Sequence, residues 1–175
     1  MSISPYEQYL QKHIIPELEQ GRPGWDLPHT LKVVEYLKAI CDAYKNPDNL
    51  DRDVLIIAAY LHDYGYMYFL DELQAGPTSG RAKQEHAAKS AEKWLEIQDN
   101  EVFDFMSPTQ KSRTEHLIRV HDEVYDLQDI DELVLMEADT LGALGTTSDV
   151  DPTSKKYQHY LRAIQDKRIS RFRTP

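Results

Sequence analysis

The chain has 175 residues, 41% hydrophobic and 29% charged, which is ordinary for one globular domain with a proper core and cramped for two. A formal net charge of −10 argues against non-specific binding along a nucleic-acid backbone, which asks for a basic face. The seven glycines are few for a barrel or sandwich built on tight turns, and the single cysteine, Cys41, excludes an intramolecular disulfide and a zinc–thiolate cluster.

Residues 4–20 read as a first helix, with Ser4 as its cap and Pro5 in its first turn. Gly21-Arg22-Pro23-Gly24 breaks it. The next helix starts near Pro28, and Val33, Leu37, Ile40, Cys41 and Tyr44 form one apolar stripe at helical spacing. His29 lies one turn before Val33 on that stripe, so it points inward. Asn46-Pro47-Asp48-Asn49 is a loop, after which Asp51 caps a third helix. From Val54 to Leu61 this helix is apolar on all sides, as a central buried helix is. It ends abruptly in His62-Asp63, and a polar pair at the end of a buried helix demands partners.

Residues 71–83 hold Gly76, Pro77, Ser79 and Gly80 and read as an exposed loop. A helix follows to about Gln98, with Ala87, Ala91, Trp94 and Leu95 inward and His86 beside that face. Pro108 opens another, in which Thr114, Leu117 and His121 share a stripe and His116 is angled away. From about Asp129 a helix runs through Leu133, Val134, Leu135, Met136, Ala138, Leu141 and Leu144, apolar nearly all round yet with Asp139 in its middle; residues 145–148 end it. Residues 152–171 form a basic last helix with Tyr157, Tyr160, Leu161 and Ile164 on its apolar side. The N-terminus has no basic start followed by an apolar run, and no stretch approaches the length of a membrane span, so the expected location is the cytoplasm, away from membranes.

Several imidazoles and carboxylates thus face inward on otherwise apolar helices. Nitrogen and oxygen donors suit borderline to hard divalent metals, and a metal removes the cost of a buried carboxylate. Mixed His and Asp donors without thiolate favour a catalytic ion that keeps open positions. The segments Trp25-Asp26-Leu27-Pro28-His29, Ala58-Ala59-Tyr60-Leu61-His62-Asp63-Tyr64-Gly65 and Glu137-Ala138-Asp139-Thr140-Leu141-Gly142 occur in that order. With Glu85-His86-Ala87 and Ile118-Arg119-Val120-His121 between them, the chain resembles the HD superfamily of metal-dependent phosphohydrolases. The likeness is to the small bacterial members with two further histidines between the His-Asp pair and the last Asp, and it runs over about residues 25–145.

The resemblance implies an all-α HD-domain helical bundle, one domain over residues 1–175, with the C-terminal helix packed on the motif core. It implies a divalent ion (Mn, Fe, Co, Ni, Mg or Zn) held by His29, His62, Asp63 and Asp139. His86 and His121 would lie at the same cavity. In some branches histidines at these positions hold a second ion with the Asp of the pair bridging; in others they contact the substrate phosphate. The implied reaction is hydrolysis of a small phosphate ester, a nucleotide among the candidates, by metal-activated water. Asp63 would ligate the metal and orient the water, and a protonated His86 or His121 would donate to the phosphate or leaving group. Arg81 and Lys83, beside His86, are candidate phosphate contacts.

Two alternatives stand beside this reading. One is an HD-type di-iron oxygenase on the same six residues. The other is a non-enzymatic metal- or ligand-binding module, since Tyr66, Met67, Tyr68 and Phe69 stand where many HD proteins carry Lys or Arg after the His-Asp-x-Gly turn. Glu137 lies on another side of its helix from Asp139 and reads as salt-bridged or exposed; His13, His116 and His159 read as surface or packing residues. The basic C-terminal helix is expected to pair with acidic residues of its own domain. Nothing in the sequence sets the oligomeric state; no heptad seam suggests a coiled coil.

Overall fold

The computed structural model describes residues 3–45, 49–74, 80–146 and 154–174, and among them every regular element is helical. Helix α1 (Pro5–His13) starts as expected, with Ser4 Oγ accepting from Glu7 N and Pro5 in the first turn. The single helix expected over residues 4–20 is in fact two. Pro16 has no N–H to give the carbonyl one turn back, so the chain steps at Ile14 into the one-turn α2 (Ile15–Leu18). Helix α3 (Asp26–Ala43) begins two residues before Pro28, which a first turn tolerates for the same reason. Val33, Leu37 and Cys41 are buried, while Ile40 and Tyr44 are only partly covered. Asn46, Pro47 and Asp48 of the expected loop lie outside the described residues.

Helix α4 (Arg52–Leu61) is capped by Asp51, whose carboxylate accepts from Val54 N. Every side chain from Val54 to Leu61 is buried, and α4 touches helices on all sides. Val54, Ile56 and Ile57 are mediocre helix formers, so burial rather than propensity holds this segment helical. A fully buried large aliphatic side chain contributes about 1.5–3 kcal/mol. With eight consecutive buried residues, α4 has no freedom to slide.

After His62 and Asp63 comes a 3₁₀ helix, Tyr64–Phe69, then α5 (Leu70–Gln74) and α6 (Arg81–Ile97). The loop expected over residues 71–83 is therefore shorter at both ends. Its turn-forming residues cluster only at 76–80, leaving helix-competent sequence on either side. Gly80 begins α6 at φ 75°, a conformation that favours glycine, while Gly76, Pro77 and Ser79 lie outside the described residues. Trp94 takes the core position on α6, and Leu95, one residue round the helix, is 41% exposed rather than inward.

Helix α7 (Pro108–Val120) opens with a reciprocal Ser107–Gln110 capping box. Helix α8 (Ile130–Thr146) lies along α3, and α9 (Lys155–Lys167) is capped by Ser154. Thr147, Ser148 and Pro152 lie outside the described residues. Among the described residues, no helix is long and apolar enough to cross a membrane.

Candidate metal centre

Two close backbone approaches, each made at a glycine, set the centre. A Cβ on Gly142 would lie 2.4 Å from Val33 Cγ2, so only glycine lets α8 lie this near α3. Asp139 is one turn before Gly142 and His29 one turn before Val33. The contact therefore carries His29 Nε2 to 3.1 Å from Asp139 Oδ1. His62, at the C-terminal end of α4, joins them: its Nε2 is 3.2 Å from His29 Nε2 and 3.7 Å from Asp139 Oδ1.

The second approach is at Gly65, where a Cβ would lie 1.9 Å from the carbonyl oxygen of His86. Ser90 clamps the same junction, accepting from Gly65 N at 2.7 Å and donating to the His62 carbonyl at 2.8 Å. The turn after α4 is thereby fixed to α6. Asp63 Oδ1 lies 3.5 Å from His86 Nε2 and 3.4 Å from His121 Nε2, and the two imidazole nitrogens are 3.4 Å apart. The other oxygen, Asp63 Oδ2, faces the first group, 3.6 Å from His29 Nε2 and 3.7 Å from His62 Nε2. Two triads result, His29–His62–Asp139 and Asp63–His86–His121, with one Asp63 oxygen turned to each.

Donors around a divalent ion at about 2.1 Å lie about 3.0 Å apart at right angles and about 3.4 Å apart at the tetrahedral angle. The spacings within both triads approximate those edges, so the residues present fit one ion each. The ring nitrogens agree. Nδ1–H of His62, His86 and His121 donates to the carbonyls of Ala59, Lys83 and Ile118, each three residues back, which leaves Nε2 as the donor atom. His29 differs: its buried Nδ1 has no hydrogen-bond partner, and the ring stacks on Trp25 instead.

Burial opposes the charge on Asp63 and Asp139. The imidazoles around Asp63, His62 foremost, and the Arg168 guanidinium on Asp139 outweigh it and hold both carboxyls well below the usual range. Burial also opposes protonation of His62, but Asp63 and Asp139 overcome it and raise the imidazolium to about 9.

The sequence reading did not single out several groups at this centre. Asp122 places Oδ2 3.3 Å from His86 Nε2 and 4.0 Å from His121 Nε2. The signal for it was present, because His121-Asp122 repeats the His62-Asp63 dipeptide. Arg168, at the end of α9, donates to Asp139 Oδ2 at 2.5 Å and to Asp122 Oδ1 at 2.6 Å. The basic C-terminal helix does pair with acidic residues of its own chain. Arg22 stands 4.0 Å over the Tyr66 ring and 3.9 Å from Asp63 Oδ2, and Tyr66 stacks on His86 at 4.2 Å.

Over the triads opens a cavity of about 520 Å³. Its charged lining is Arg22, Lys83 and Arg168 against Asp63, Asp122 and Asp139, with Trp25, Tyr66, Tyr160 and Ile164 as apolar walls. Lys83 reaches Asp122. Arg81 is turned away, paired with Glu72 over the Phe69 ring, and does not line the cavity. Glu137 lies off the centre, as its helical position requires, but is fully buried rather than exposed; it accepts from the backbone N–H groups of Arg173 and Thr174. His13, His116 and His159 are surface residues, His116 paired with Glu132.

A family model described as HD domain matches residues 27–144. No curated protein and no solved structure matches the chain.

Proposed function

The chain belongs to the HD domain family, and from that premise we propose that it is a cytoplasmic metal-dependent phosphohydrolase acting on a small phosphate ester, nucleotides included. The observation that carries this reading is the pairing of two His/Asp triads with an open cavity holding three cationic side chains, in a chain whose net charge is −10. With divalent ions in the triads, these cations would outweigh the three carboxylates of the cavity, which suits an anionic substrate. His29, His62 and Asp139 would hold one divalent ion and Asp63, His86 and His121 a second. When bound, such an ion acidifies a ligated water and neutralises charge on a phosphoryl oxygen. Asp63, with an oxygen toward each triad, orients the attacking water. With only the His29–His62–Asp139 triad loaded, His86 and His121 would instead have Nε2 free beside Asp122 and Lys83, where a protonated imidazole could donate to the leaving oxygen. Of the two residues the sequence suggested for the phosphate, Lys83 lines the cavity and Arg81 does not. Trp25 and Tyr160 give the organic part of the substrate an aromatic wall.

A panel of nucleotides and sugar phosphates tests the proposal, assayed for phosphate release with protein loaded in turn with Mn, Fe, Co, Ni, Mg and Zn. Turnover that Asp139→Ala abolishes supports it; no release with any ion refutes it. One further reading has its own support. Each triad is two histidines and one carboxylate, a set that also serves non-haem iron oxygenases. Two irons per chain and oxygen consumption would favour that reading over the phosphohydrolase.

A further inference from the structure

Arg168 lies outside the segment matched to the family, yet its guanidinium is 2.5 Å from the triad carboxylate Asp139, against 3.9 Å from Arg22 to Asp63. Its guanidinium holds the outer oxygens of Asp139 and Asp122, leaving Asp139 Oδ1 toward His29 and Asp122 Oδ2 toward His86. Burial opposes its charge, and the two carboxylates offset that cost. The helix that bears it is lightly attached. Ile164 is the one buried side chain of α9 among those described, and Ile164, Tyr160 and Arg168 all face the cavity. Beyond it, Arg171 donates to the Leu127 carbonyl and Phe172 packs on the Val124–Leu127–Leu133–Met136 cluster.

We infer that Arg168 is the substrate-phosphate contact of this cavity, and that anion binding fastens α9 over the centre; this rests on the phosphohydrolase reading. The charge balance supplies the reason. The cavity carries three cationic and three anionic side chains, Arg22, Lys83 and Arg168 against Asp63, Asp122 and Asp139. Without a metal, the Arg168 guanidinium is taken up by the carboxylates of Asp139 and Asp122. A divalent ion in the triads takes over that neutralisation, and the guanidinium's charge is then in surplus at the cavity wall. A phosphoryl group is a fitting partner, since the planar fork of arginine matches its oxygens with two parallel bonds. Because Arg168 ends the helix that also brings Tyr160 and Ile164, a phosphate held by it draws that wall down onto the substrate.

The test uses the full chain loaded with Mn(II), its metal content measured, and inorganic phosphate as the probe. By titration calorimetry, Arg168→Gln should bind phosphate about ten- to hundredfold more weakly than wild type. Phosphate should slow amide hydrogen exchange across residues 155–167 in wild type and leave it unchanged in the variant. Undiminished phosphate affinity in Arg168→Gln at equal metal content overturns the assignment and leaves the phosphohydrolase reading standing. A metal-loaded wild type that binds no phosphate overturns both. Should Arg168→Gln fail to hold metal, Arg168→Lys decides. Metal retained with phosphate affinity reduced about threefold or more supports the inference, because lysine cannot make the paired bonds. Wild-type affinity and exchange in that variant overturn it.

Discussion

Gly65→Ala isolates the contact on which the second triad depends. The added Cβ would stand 1.9 Å from the His86 carbonyl oxygen and 2.8 Å from both His86 C and Ser90 N. A carbon and an oxygen rest at about 3.3 Å or more. All three obstructing atoms are backbone, so no rotamer change helps, and α6 must recede by more than about 1 Å. Asp63 Oδ1 and His86 Nε2, now 3.5 Å apart, would then stand about 4.5 Å apart. Two donors at about 2.1 Å from one ion can be no farther apart than about 4.2 Å. The second triad could then no longer hold an ion, while His29, His62 and Asp139, none of them on α6, would keep their spacing. Overpacking of this kind costs about 1–3 kcal/mol, and the strained Gly65–Ser90 hydrogen bond adds about 1 kcal/mol. Denaturant unfolding in chelator should show a loss of about 2–4 kcal/mol. Elemental analysis of Mn-loaded protein should fall from two ions per chain to one. A variant with wild-type midpoint and wild-type ion content would refute this account of how Gly65 assembles the centre.

Ser90→Ala removes the hydroxyl shared by Gly65 N and the His62 carbonyl and leaves both buried groups unpaired; unfolding measurements should register a loss of about 2 kcal/mol or more. In metal-free protein the His62 pKa of about 9 lies above the 6.5 of an unfolded histidine, so its protonation stabilises the fold. That contribution is complete below about pH 6.5 and lost as pH rises through 9, on the order of 3 kcal/mol in all. Urea midpoints in chelator should fall across this window, and a flat profile would contradict the assigned charge. Glu137→Ala removes the acceptor of the Arg173 and Thr174 N–H groups. Amide exchange at these two residues should quicken while bound metal is unchanged.

The helices and the six His and Asp ligand candidates could be read from the sequence because their signals are local. His29 precedes Val33 on an apolar stripe, His62-Asp63 ends a wholly apolar run, and Asp139 interrupts another. Helix breaks were harder. Pro16 splits the first helix although the apolar pattern continues past it, and the Gly- and Pro-rich composition of residues 76–80 hid the helical turns flanking it. Arg22 and Arg168 were not visible as site residues, because nothing local distinguishes them from other surface cations. Each is defined by a contact with a distant residue, Asp63 in one case and Asp139 in the other. Glu137 was misplaced for the same reason. Its burial is made by chain 36 residues further on, which no periodicity records.

The centre is a consequence of packing rather than of any one motif. Helix α4, buried along its length, fixes His62 and Asp63, and the other four donors come from α3, α6, α7 and α8. Each stands within about one turn of a buried contact: His29 near Val33, Asp139 near Gly142, His86 near Ser90, His121 near Leu117 and Ile118. Close-packed interiors pass small displacements on rather than absorbing them. A core change two turns from any ligand should therefore be felt as metal affinity before it is felt as unfolding. The converse also holds. Four buried imidazoles and the carboxylates between them are held together at a desolvation cost that only neutralisation offsets. Metal that binds the folded chain alone stabilises it in proportion to the logarithm of its concentration over Kd. Divalent ions should accordingly raise the melting temperature of wild type, and raise it less in any variant that parts α3 from α8 or α6 from the Gly65 turn.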